Sequence, residues 1–552
     1  MKSLKSFPLV LSLLFIITGA HAVTKLTYDW QAPYSGANVL TIYNDSDETV
    51  NINELVFSTS AMVNGNPYGS LPVWGSAFKE DPDHKGTYIL TFPTDKSFQL
   101  AAKASANLNI TYAAAYGPLS VGMTVENVTV DGQKLAFHGV CSECADPAPG
   151  YRITGYYNNW DQYARQYDAT QIPVANMNTI NYAFLNVKAD GHIALIDTNA
   201  DYKQLVTIAN LGKKYPYLQT FLSFGGWTLS DNFSGVMADP AKRHIFEDEA
   251  IAAMQEAGFN GIDIDWEYPV IGAQGKDVAN PHPEDAINLG LFATELRAKL
   301  NAYEKIDGKK YYISLAVGAG VDKIKLLSNE QWQVVANAID YLNLMTYDFH
   351  GAFDYKEGSP YSIADFHSAM DLDAQDPTMQ DPTLKEYNVR DAVKHYLAAG
   401  FKPKQIVVGM PIYGRMVNVS TLGDDHYGLY QALLANIPAG QYDDWSSGAT
   451  GMFDYSCIVA AISDGQCKGN TPKGLHLAPS DSHQKYAAHS ESQWAYTDAN
   501  QIITFDDAAG ISKKSAWVKQ EGLGGAMFWS LSGDLPSTDE RSLIRSAHDA
   551  LK

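Results

Sequence analysis

Residues 260–268 read Asn-Gly-Ile-Asp-Ile-Asp-Trp-Glu-Tyr, a run in which acidic and apolar residues alternate. Asp263, Asp265 and Glu267 occupy every second position, with apolar residues between them. In a β-strand all three carboxylates face one side, with neighbours about 6.5 to 7 Å apart. Burying like charges together raises the free energy of the folded state and pushes their pKa values apart. A purely structural ladder of acids is therefore unfavourable, and the run indicates acid–base catalysis.

Further apolar runs share the character of this strand and alternate with helical patterns such as 245–257 and 285–302. The full set of predicted strands is 153–157, 179–186, 220–224, 261–267, 312–317, 341–347, 406–412 and 525–529. Strands with crossover helices in this number fit a closed (β/α)8 TIM barrel of the α/β class better than an open sheet. We therefore predict a TIM-barrel catalytic domain over residues 151–552. Its site should lie at the carboxyl ends of the strands, where Glu267 and Tyr347 are expected.

Three regions depart from this alternation of strands and helices. The interval between Tyr413 and Trp529 is far longer than the about 30 residues of a βαβ repeat. We predict a small α+β insertion over 416–505 that walls the site, with an insertion of no function as the alternative. Short β-rich runs over 23–140 predict an all-β sandwich. Residues 141–150, which include Pro147-Ala148-Pro149-Gly150, predict a stiff linker.

The amino terminus predicts export of the chain. Residues 1–22 combine Lys2 and Lys5, an apolar run and the triplet Ala20-His21-Ala22, a pattern typical of a secretory signal peptide. The apolar run is too short for a membrane anchor, and no later run reaches about eighteen apolar residues. We expect a secreted protein, either extracellular or retained in the periplasm.

Charge and cysteine content exclude several classes of partner. The chain has 40 basic and 62 acidic residues and no basic block, so nucleic acid and anionic membranes are poor partners. In an exported protein its cysteines favour disulfides, most simply Cys457 with Cys467. Cys141 and Cys144 can form a tight local bridge or pair elsewhere. A zinc site would need more than one close cysteine pair, so we expect no metal. We also expect no cofactor, and we expect the protein to be a monomer.

The one-sided placement of the acids suggests a particular glycosidase mechanism. Ordinary glycosidases hold two carboxylates on opposite faces of the sugar. Here all three project from one strand. Without a second carboxylate from another strand, the sequence suits a mechanism in which the substrate supplies the nucleophile, as the 2-acetamido group of an N-acetylhexosamine can. Glu267 is then the general acid, Asp265 orients the acetamide, and Asp263 shares a proton with Asp265.

The run from Asn260 to Glu267 resembles the active strand of the family 18 glycoside hydrolases, Asp-Gly-x-Asp-x-Asp-x-Glu. Within that family it is similar to the bacterial chitinases with an inserted α+β domain. The departure from the pattern is Asn260, which by strand parity faces away from the acids. The resemblance implies hydrolysis of β-1,4 linkages in chitin and in N-acetylglucosamine oligomers, with retention, through an oxazolinium intermediate.

Further segments are similar to motifs of the same family. In Met345-Thr346-Tyr347-Asp348 the resemblance implies that Met345 lines the acetamide pocket, Tyr347 donates to the acetamide oxygen and Asp348 contacts the sugar. The other implied substrate-binding residues are Tyr156, Ser223, Trp227, Tyr413, Arg415 and Trp529. Taken singly, such aromatics are more often core residues. Their order and their placement at strand ends support a shared site.

The predicted sandwich is a candidate polysaccharide-binding module. Trp30, Tyr34, Tyr68 and Trp74 are candidates for a flat strip of rings on which pyranose faces stack. A rigid spacer domain is the alternative, because aromatic residues also fill sandwich cores.

Two competing functions use the same barrel. A chitin-binding lectin without catalysis is disfavoured because Glu267 is intact. An endo-β-N-acetylglucosaminidase acting on glycoprotein glycans is disfavoured because the long insertion suits a deep polymer groove.

Overall fold

The computed structural model describes residues 26–32, 37–71, 76–93, 97–115, 117–119, 125–272, 281–443 and 448–552. The predicted signal peptide, 1–22, lies outside the described residues. Within them, no helix combines the length and the apolar character that crossing a membrane requires.

The predicted strands form one closed parallel barrel, in which each strand pairs with the next along the chain and the last pairs with the first. In chain order they are β1 (Arg152–Asn158), β2 (Thr179–Val187), β3 (Gln219–Gly225), β4 (Gly261–Asp265), β5 (Tyr312–Gly318), β6 (Tyr341–Met345), β7 (Ile406–Pro411) and β8 (Gly525–Trp529). Nearly all of their residues are buried, because helices cover the outer face and side chains fill the interior. The TIM barrel is confirmed.

The described helices cover the barrel and complete its crossovers, except for two that belong to an insertion. They are α1 (Thr198–Lys214), α2 (Phe233–Ala238), α3 (Pro240–Ala257), α4 (Asp285–Asp307), α5 (Val321–Ile324), α6 (Asn329–Ala338), α7 (Val389–Ala398), α8 (Tyr455–Ile462), α9 (Ser480–Tyr486), α10 (Ala508–Gln520) and α11 (Leu543–Leu551). The sequence explains the bounds of α3. The Asp239 side chain accepts from the first backbone N–H groups, Pro240 opens the helix, and Gly258 ends it in the left-handed region.

Two predicted strands end earlier than expected. The ladders of β4 and β6 stop at Asp265 and Met345, so Glu267 and Tyr347 lie just beyond the strands instead of within them. Asp265 pairs with Gly225, the last residue of β3, and past that point β4 has no neighbour on this side. Both side chains are therefore held by the loops at the carboxyl end of the barrel.

An α+β insertion follows β7. Its five-stranded antiparallel sheet has the order Met452–Asp454, Tyr413–Asn418, Gln501–Phe505, Gln493–Thr497 and His476–Leu477. Because a sheet strand already begins at Tyr413, the inserted structure starts slightly before the predicted residue 416. Helices α8 and α9 belong to it, and the predicted disulfide between Cys457 and Cys467 is confirmed.

Two β-sheets, antiparallel apart from the parallel pairing of Ala136–Phe137 with Leu26–Gln31, make up most of the described N-terminal part. One sheet has the order Ala136–Phe137, Leu26–Gln31, Asn38–Asn44 and Ser105–Ile110. The other has the order Gln133–Lys134, Val125–Val130, Glu54–Thr59, Thr87–Thr91 and Ala77–Glu80. Buried residues of both sheets, such as Leu40 and Phe57, share one hydrophobic core, as an all-β sandwich requires.

The predicted linker packs against the barrel. Cys141 and Cys144 form a local disulfide, one of the two pairings that the sequence left open. The Cys141 backbone N–H donates to the Lys214 carbonyl at 2.9 Å, and Ala148 is fully buried.

Candidate active site

Asp263 lies at the centre of the barrel and is fully buried. Its carboxylate accepts hydrogen bonds from Tyr156 Oη at 2.9 Å, Ser223 Oγ at 2.6 Å, Ser314 Oγ at 2.5 Å and, more weakly, Asn343 Nδ2 at 3.3 Å. Burial raises the pKa of Asp263, although these donors oppose the shift. Its oxygens are thus saturated by protein donors and are not free to bind a substrate.

Asp265 is 4% exposed, and its Oδ1 is buried without a hydrogen-bond partner among the described residues. Burial raises the pKa of Asp265 well above its ordinary value, and the charges of Glu267 and Asp263 raise it further. These effects favour the protonated form of Asp265 over the carboxylate. An unpaired buried carboxyl oxygen of this kind calls for a polar group from a ligand.

Glu267 is 8% exposed and lies beside Asp265 at the mouth of the barrel. Burial raises the pKa of Glu267 to about 7, with a smaller contribution from the charge of Asp348. A carboxyl group that stays protonated near neutral pH can donate a proton to a leaving group.

The loop after β3 positions the backbone around Glu267. Gly225 has φ +108°, and a Cβ there would lie 2.2 Å from the Asp265 carbonyl oxygen, so this position requires glycine. The following Gly226 donates its backbone N–H to that same carbonyl at 2.7 Å. Ser230 in turn accepts the Glu267 backbone N–H on its hydroxyl at 3.0 Å. The Gly-Gly pair thus brings the β3 loop close enough to hold Glu267.

Beyond β6, Tyr347 and Asp348 form the opposite wall. Asp348 accepts from Arg415 through Nε at 2.7 Å and Nη2 at 2.6 Å, and from Tyr413 Oη at 2.7 Å. Burial alone would raise the pKa of Asp348, but the Arg415 charge, the Arg415 hydrogen bonds and the nearby His367 lower it well below its usual range. Asp348 therefore stays ionised, and hydrogen bonds from Arg415 and Tyr413 hold its carboxylate in place.

Burial and the nearby carboxylates raise the pKa of Tyr347 well above its ordinary value. Its hydroxyl therefore stays protonated and remains a hydrogen-bond donor. It contacts Met527 Sδ at 3.7 Å, a weak acceptor that a substrate oxygen can replace.

A hydrophobic cluster separate from the main core lines this end of the barrel. It joins Tyr156, Phe184, Tyr347, Tyr413 and Met527, with Met345 and Trp529 packed against it. The Trp529 ring stacks on Phe184 at 5.6 Å and contacts Tyr156 at 5.4 Å. Trp227, on the loop after β3, is 51% exposed, as a sugar-stacking side chain has to be. The acids and the rings of this cluster therefore lie together at the carboxyl end of the barrel.

The structure corrects the predicted strip of rings on the sandwich. Trp30 is 1% exposed and belongs to the sandwich core, because it shares the inward face of its strand with Leu26 and Tyr28. It cannot stack on a sugar. Tyr68 is 58% exposed. The predicted Tyr34 and Trp74 lie outside the described residues.

Several site residues were missed by the sequence analysis. Ser314 and Asn343 complete the shell around Asp263, while Phe184 supports Trp529 and Phe353 lies over the Arg415 guanidinium at 5.5 Å. Strand register gives a signal for the first of them, because Ser314 lies directly beside Asp263 on the neighbouring strand. Ser223 occupies the equivalent position on the other side.

Asn260, the departure from the acidic strand pattern, has a structural role. Its side-chain oxygen accepts the Thr220 backbone N–H at 2.9 Å, which ties the start of β4 to β3. It therefore holds strand register and points away from the carboxylates, as strand parity predicts.

One group among the described residues has the spacing of metal ligands, namely His244, Glu247 and Glu295 on the outer helices α3 and α4. Arg243 and Lys299 already pair with its carboxylates, at 2.7 and 3.0 Å. The acids of the barrel mouth do not belong to this group.

Comparison with known proteins places the chain among enzymes of one family. Chitinase A1 of Niallia circulans is 28% identical over 444 residues, which are 72% of this chain and 59% of that protein. Chitinase 1 of Aphanocladium album is 29% identical over 422 residues, which are 73% of this chain and 86% of that protein. The matched part thus spans under two thirds of the first relative and most of the second.

Solved structures agree on the fold. Chitinase ChiA74 from Bacillus thuringiensis superposes with a TM-score of 0.62 at 25% identity, covering 73% of this chain and 70% of that chain. The family model described as "Glycosyl hydrolases family 18" matches residues 152–534, which is well over half of the chain and includes every acid of the site. The protein therefore belongs to the family 18 glycosyl hydrolases.

Proposed function

We propose that the protein is a secreted chitinase that hydrolyses β-1,4 linkages between N-acetylglucosamine units with retention, by substrate-assisted catalysis. The observation that carries this proposal is the unpaired, buried Oδ1 of Asp265 between a saturated Asp263 and a protonated Glu267. The related proteins named above are themselves called chitinases.

The placement of the acids argues for a nucleophile that belongs to the substrate. A retaining glycosidase with its own nucleophile needs a second free carboxylate across the sugar from the acid. Asp348, in the loop after β6, is bound by Arg415 and Tyr413 and cannot also attack a sugar carbon. The acetamide oxygen of the substrate fills this role, and attack at the anomeric carbon gives an oxazolinium ion.

Each acid then has a distinct task. Glu267 gives its proton to the glycosidic oxygen and afterwards takes a proton from the attacking water. Asp265 accepts the acetamide N–H on the oxygen that has no protein partner, and once its proton has passed to Asp263 it stabilises the charged ring as an anion. Asp263, held by its hydroxyl and amide donors, keeps Asp265 in place and couples to its protonation. Tyr347 donates to the acetamide oxygen and aims it at the anomeric carbon.

The surrounding surface suits a chain of sugars. Trp529 provides a floor at the acids, and Trp227 provides an exposed ring on the β3 loop. Pyranose faces stack on such rings while their hydroxyls bond to polar groups at the rim. The insertion sheet, which begins with Tyr413 and Arg415, raises one side of this surface into a groove.

Substrates that differ in one group test the mechanism. We expect efficient cleavage of N-acetylglucosamine oligomers, with the β-anomer as the first product seen by proton NMR. The same oligomers without acetyl groups should be cut at least about 1,000-fold more slowly, because they have no internal nucleophile. Efficient hydrolysis of the deacetylated oligomers, or release of the α-anomer first, would refute substrate assistance.

A conservative substitution of Glu267 distinguishes an enzyme from a lectin without catalysis. Glu267→Gln keeps the size of the side chain and removes the proton donor, so turnover should fall by about 100-fold or more while oligomer binding persists. Turnover equal to that of the unmodified protein would contradict the role of Glu267. Binding without cleavage by the unmodified protein would instead favour the lectin.

A further inference from the structure

A buried ion pair lies behind the site and takes no part in the chemistry described above. Lys514 of α10 and Asp506 are in contact at 2.6 Å, and both side chains are 0% exposed. Asp506 directly follows the last strand of the insertion sheet, so the pair joins a barrel helix to the insertion.

Two serines complete this cluster. Lys514 Nζ donates to the Ser368 carbonyl at 2.5 Å and lies 3.2 Å from the Ser368 hydroxyl. Ser492 Oγ donates to Asp506 at 2.6 Å. All four side chains are buried, and each charge is satisfied within the cluster.

The cluster reaches the substrate-binding segment through Ser368. The Ser368 hydroxyl donates to the carbonyl of Thr346, the residue before Tyr347, at 2.9 Å. The backbone carbonyl of the neighbouring His367 accepts the Phe349 backbone N–H at 3.0 Å. His367 and Ser368 therefore fix the backbone on both sides of Tyr347 and Asp348.

We propose that the Lys514–Asp506 ion pair is a positioning device that holds Tyr347 at the distance its acetamide contact requires and couples the insertion to that contact. This inference rests on the proposed function of Tyr347. Lys514 touches no substrate and acts through Ser368 and the Thr346 carbonyl.

The cost of burying charge indicates that the Lys514–Asp506 ion pair serves to position other groups and not to stabilise the fold. Removing a lysine and a carboxylate from water costs several kcal/mol, and an uncharged pair of similar volume is often as stable or more so. What the charged pair adds is geometry, since the ammonium group directs donors to Asp506 and to the Ser368 carbonyl together. A shift of about 1 Å at Tyr347 is enough to reduce turnover markedly.

A pair of variants distinguishes positioning from stability. Lys514→Met alone leaves Asp506 buried and unpaired, so it should lower both the thermal midpoint and kcat. The double variant Lys514→Met with Asp506→Asn removes the stranded charge. We expect it to recover most of the thermal midpoint while kcat on N-acetylglucosamine oligomers stays about 10-fold low and KM changes less than about 3-fold. Recovery of kcat together with stability would overturn the proposal.

A second variant covers the case in which the double variant does not fold. Ser368→Ala removes the hydroxyl bond to Thr346 and leaves the ion pair intact, and it should lower kcat about 3- to 10-fold with little change in KM. Ser546→Ala is the matched control, because Ser546 of α11 is also buried and its hydroxyl also donates to a backbone carbonyl, that of Ser542, at 2.8 Å. Equal kcat values for these two serine variants would also overturn the proposal.

The unmodified protein keeps this test separate from the proposed function. If it does not cleave N-acetylglucosamine oligomers, the proposed function fails and the positioning proposal fails with it. If it cleaves them and the variants above match it, the positioning proposal alone fails.

Discussion

Glu267 illustrates how burial converts an ordinary acid into a proton donor at neutral pH. Its side chain is enclosed, and the pKa of about 7 follows mainly from loss of water and partly from the charge of Asp348. Arg415 keeps Asp348 ionised, so the ion pair on one wall of the site acts on the acid on the other. Burying these carboxyl groups lowers the free energy of unfolding, as is common at active sites.

This burial predicts the alkaline limit of activity. The protonated form of Glu267 is the active one, so activity is present below its pKa and is lost as the pH rises through it. We expect kcat/KM for soluble oligomers to fall with a midpoint near pH 7 and then about 10-fold per pH unit. Circular dichroism over the same range checks that the fold persists. A flat profile up to pH 9 would contradict the assignment of Glu267 as the acid.

At the level of elements, the barrel could be predicted because buried parallel strands read as apolar runs. The ends of β4 and β6 could not, since they depend on where neighbouring strands stop. Polar residues inside apolar strands, such as Ser314 and Asn343, carry no local motif, and their contact with Asp263 depends on register. The predicted strip of rings is wrong at Trp30, because the period-two pattern of Leu26, Tyr28 and Trp30 places that ring on the inward face of its strand.

A salt bridge joins the loop after β1 to the insertion sheet. Arg165, in the loop after β1, donates from Nε and Nη2 to both oxygens of Asp454 at 3.0 and 2.9 Å. Asp454 ends a strand of the insertion sheet and pairs in register with Tyr413 of the site. The same β1 loop carries Trp160, whose ring is 40% exposed. The pair therefore fixes the separation between the β1 loop and the insertion.

Weakening this contact should affect long substrates most. Arg165→Lys keeps the charge and loses the forked geometry. We expect KM for hexamers to rise about 3- to 10-fold, the equivalent of about 1 kcal/mol, while values for trimers change less than 2-fold. Arg541→Lys is the control, because Arg541 makes the same forked pair with Asp539 within one surface loop. An equal effect on both oligomer lengths would argue against a role in shaping the groove.

On the scale of the whole molecule, the sandwich packs directly on the barrel. Asn210 Nδ2 of α1 donates to the Trp30 carbonyl at 2.5 Å, and Lys213 Nζ donates to the Val125 carbonyl at 3.2 Å. From the other side, the Leu119 N–H donates to Glu256 of α3 at 3.0 Å. Buried residues of the sandwich and of the barrel belong to one continuous hydrophobic cluster. The two parts are therefore expected to be stable together instead of independently.

Calorimetry can test this coupling. The full chain should unfold in one transition, because separating the sandwich would expose apolar surface of α1 and leave buried carbonyls unpaired. Replacing the donors with acceptors, in the double variant Asn210→Asp with Lys213→Glu, sets carboxylates against the Trp30 and Val125 carbonyls and should split the trace into two transitions. Lys203→Glu is the control, because Lys203 lies on the same helix and pairs with Asp168 of the barrel domain. Two transitions in the unmodified protein would show that the sandwich and the barrel fold separately, and any effect of the sandwich on catalysis would then require a contact through the polysaccharide itself.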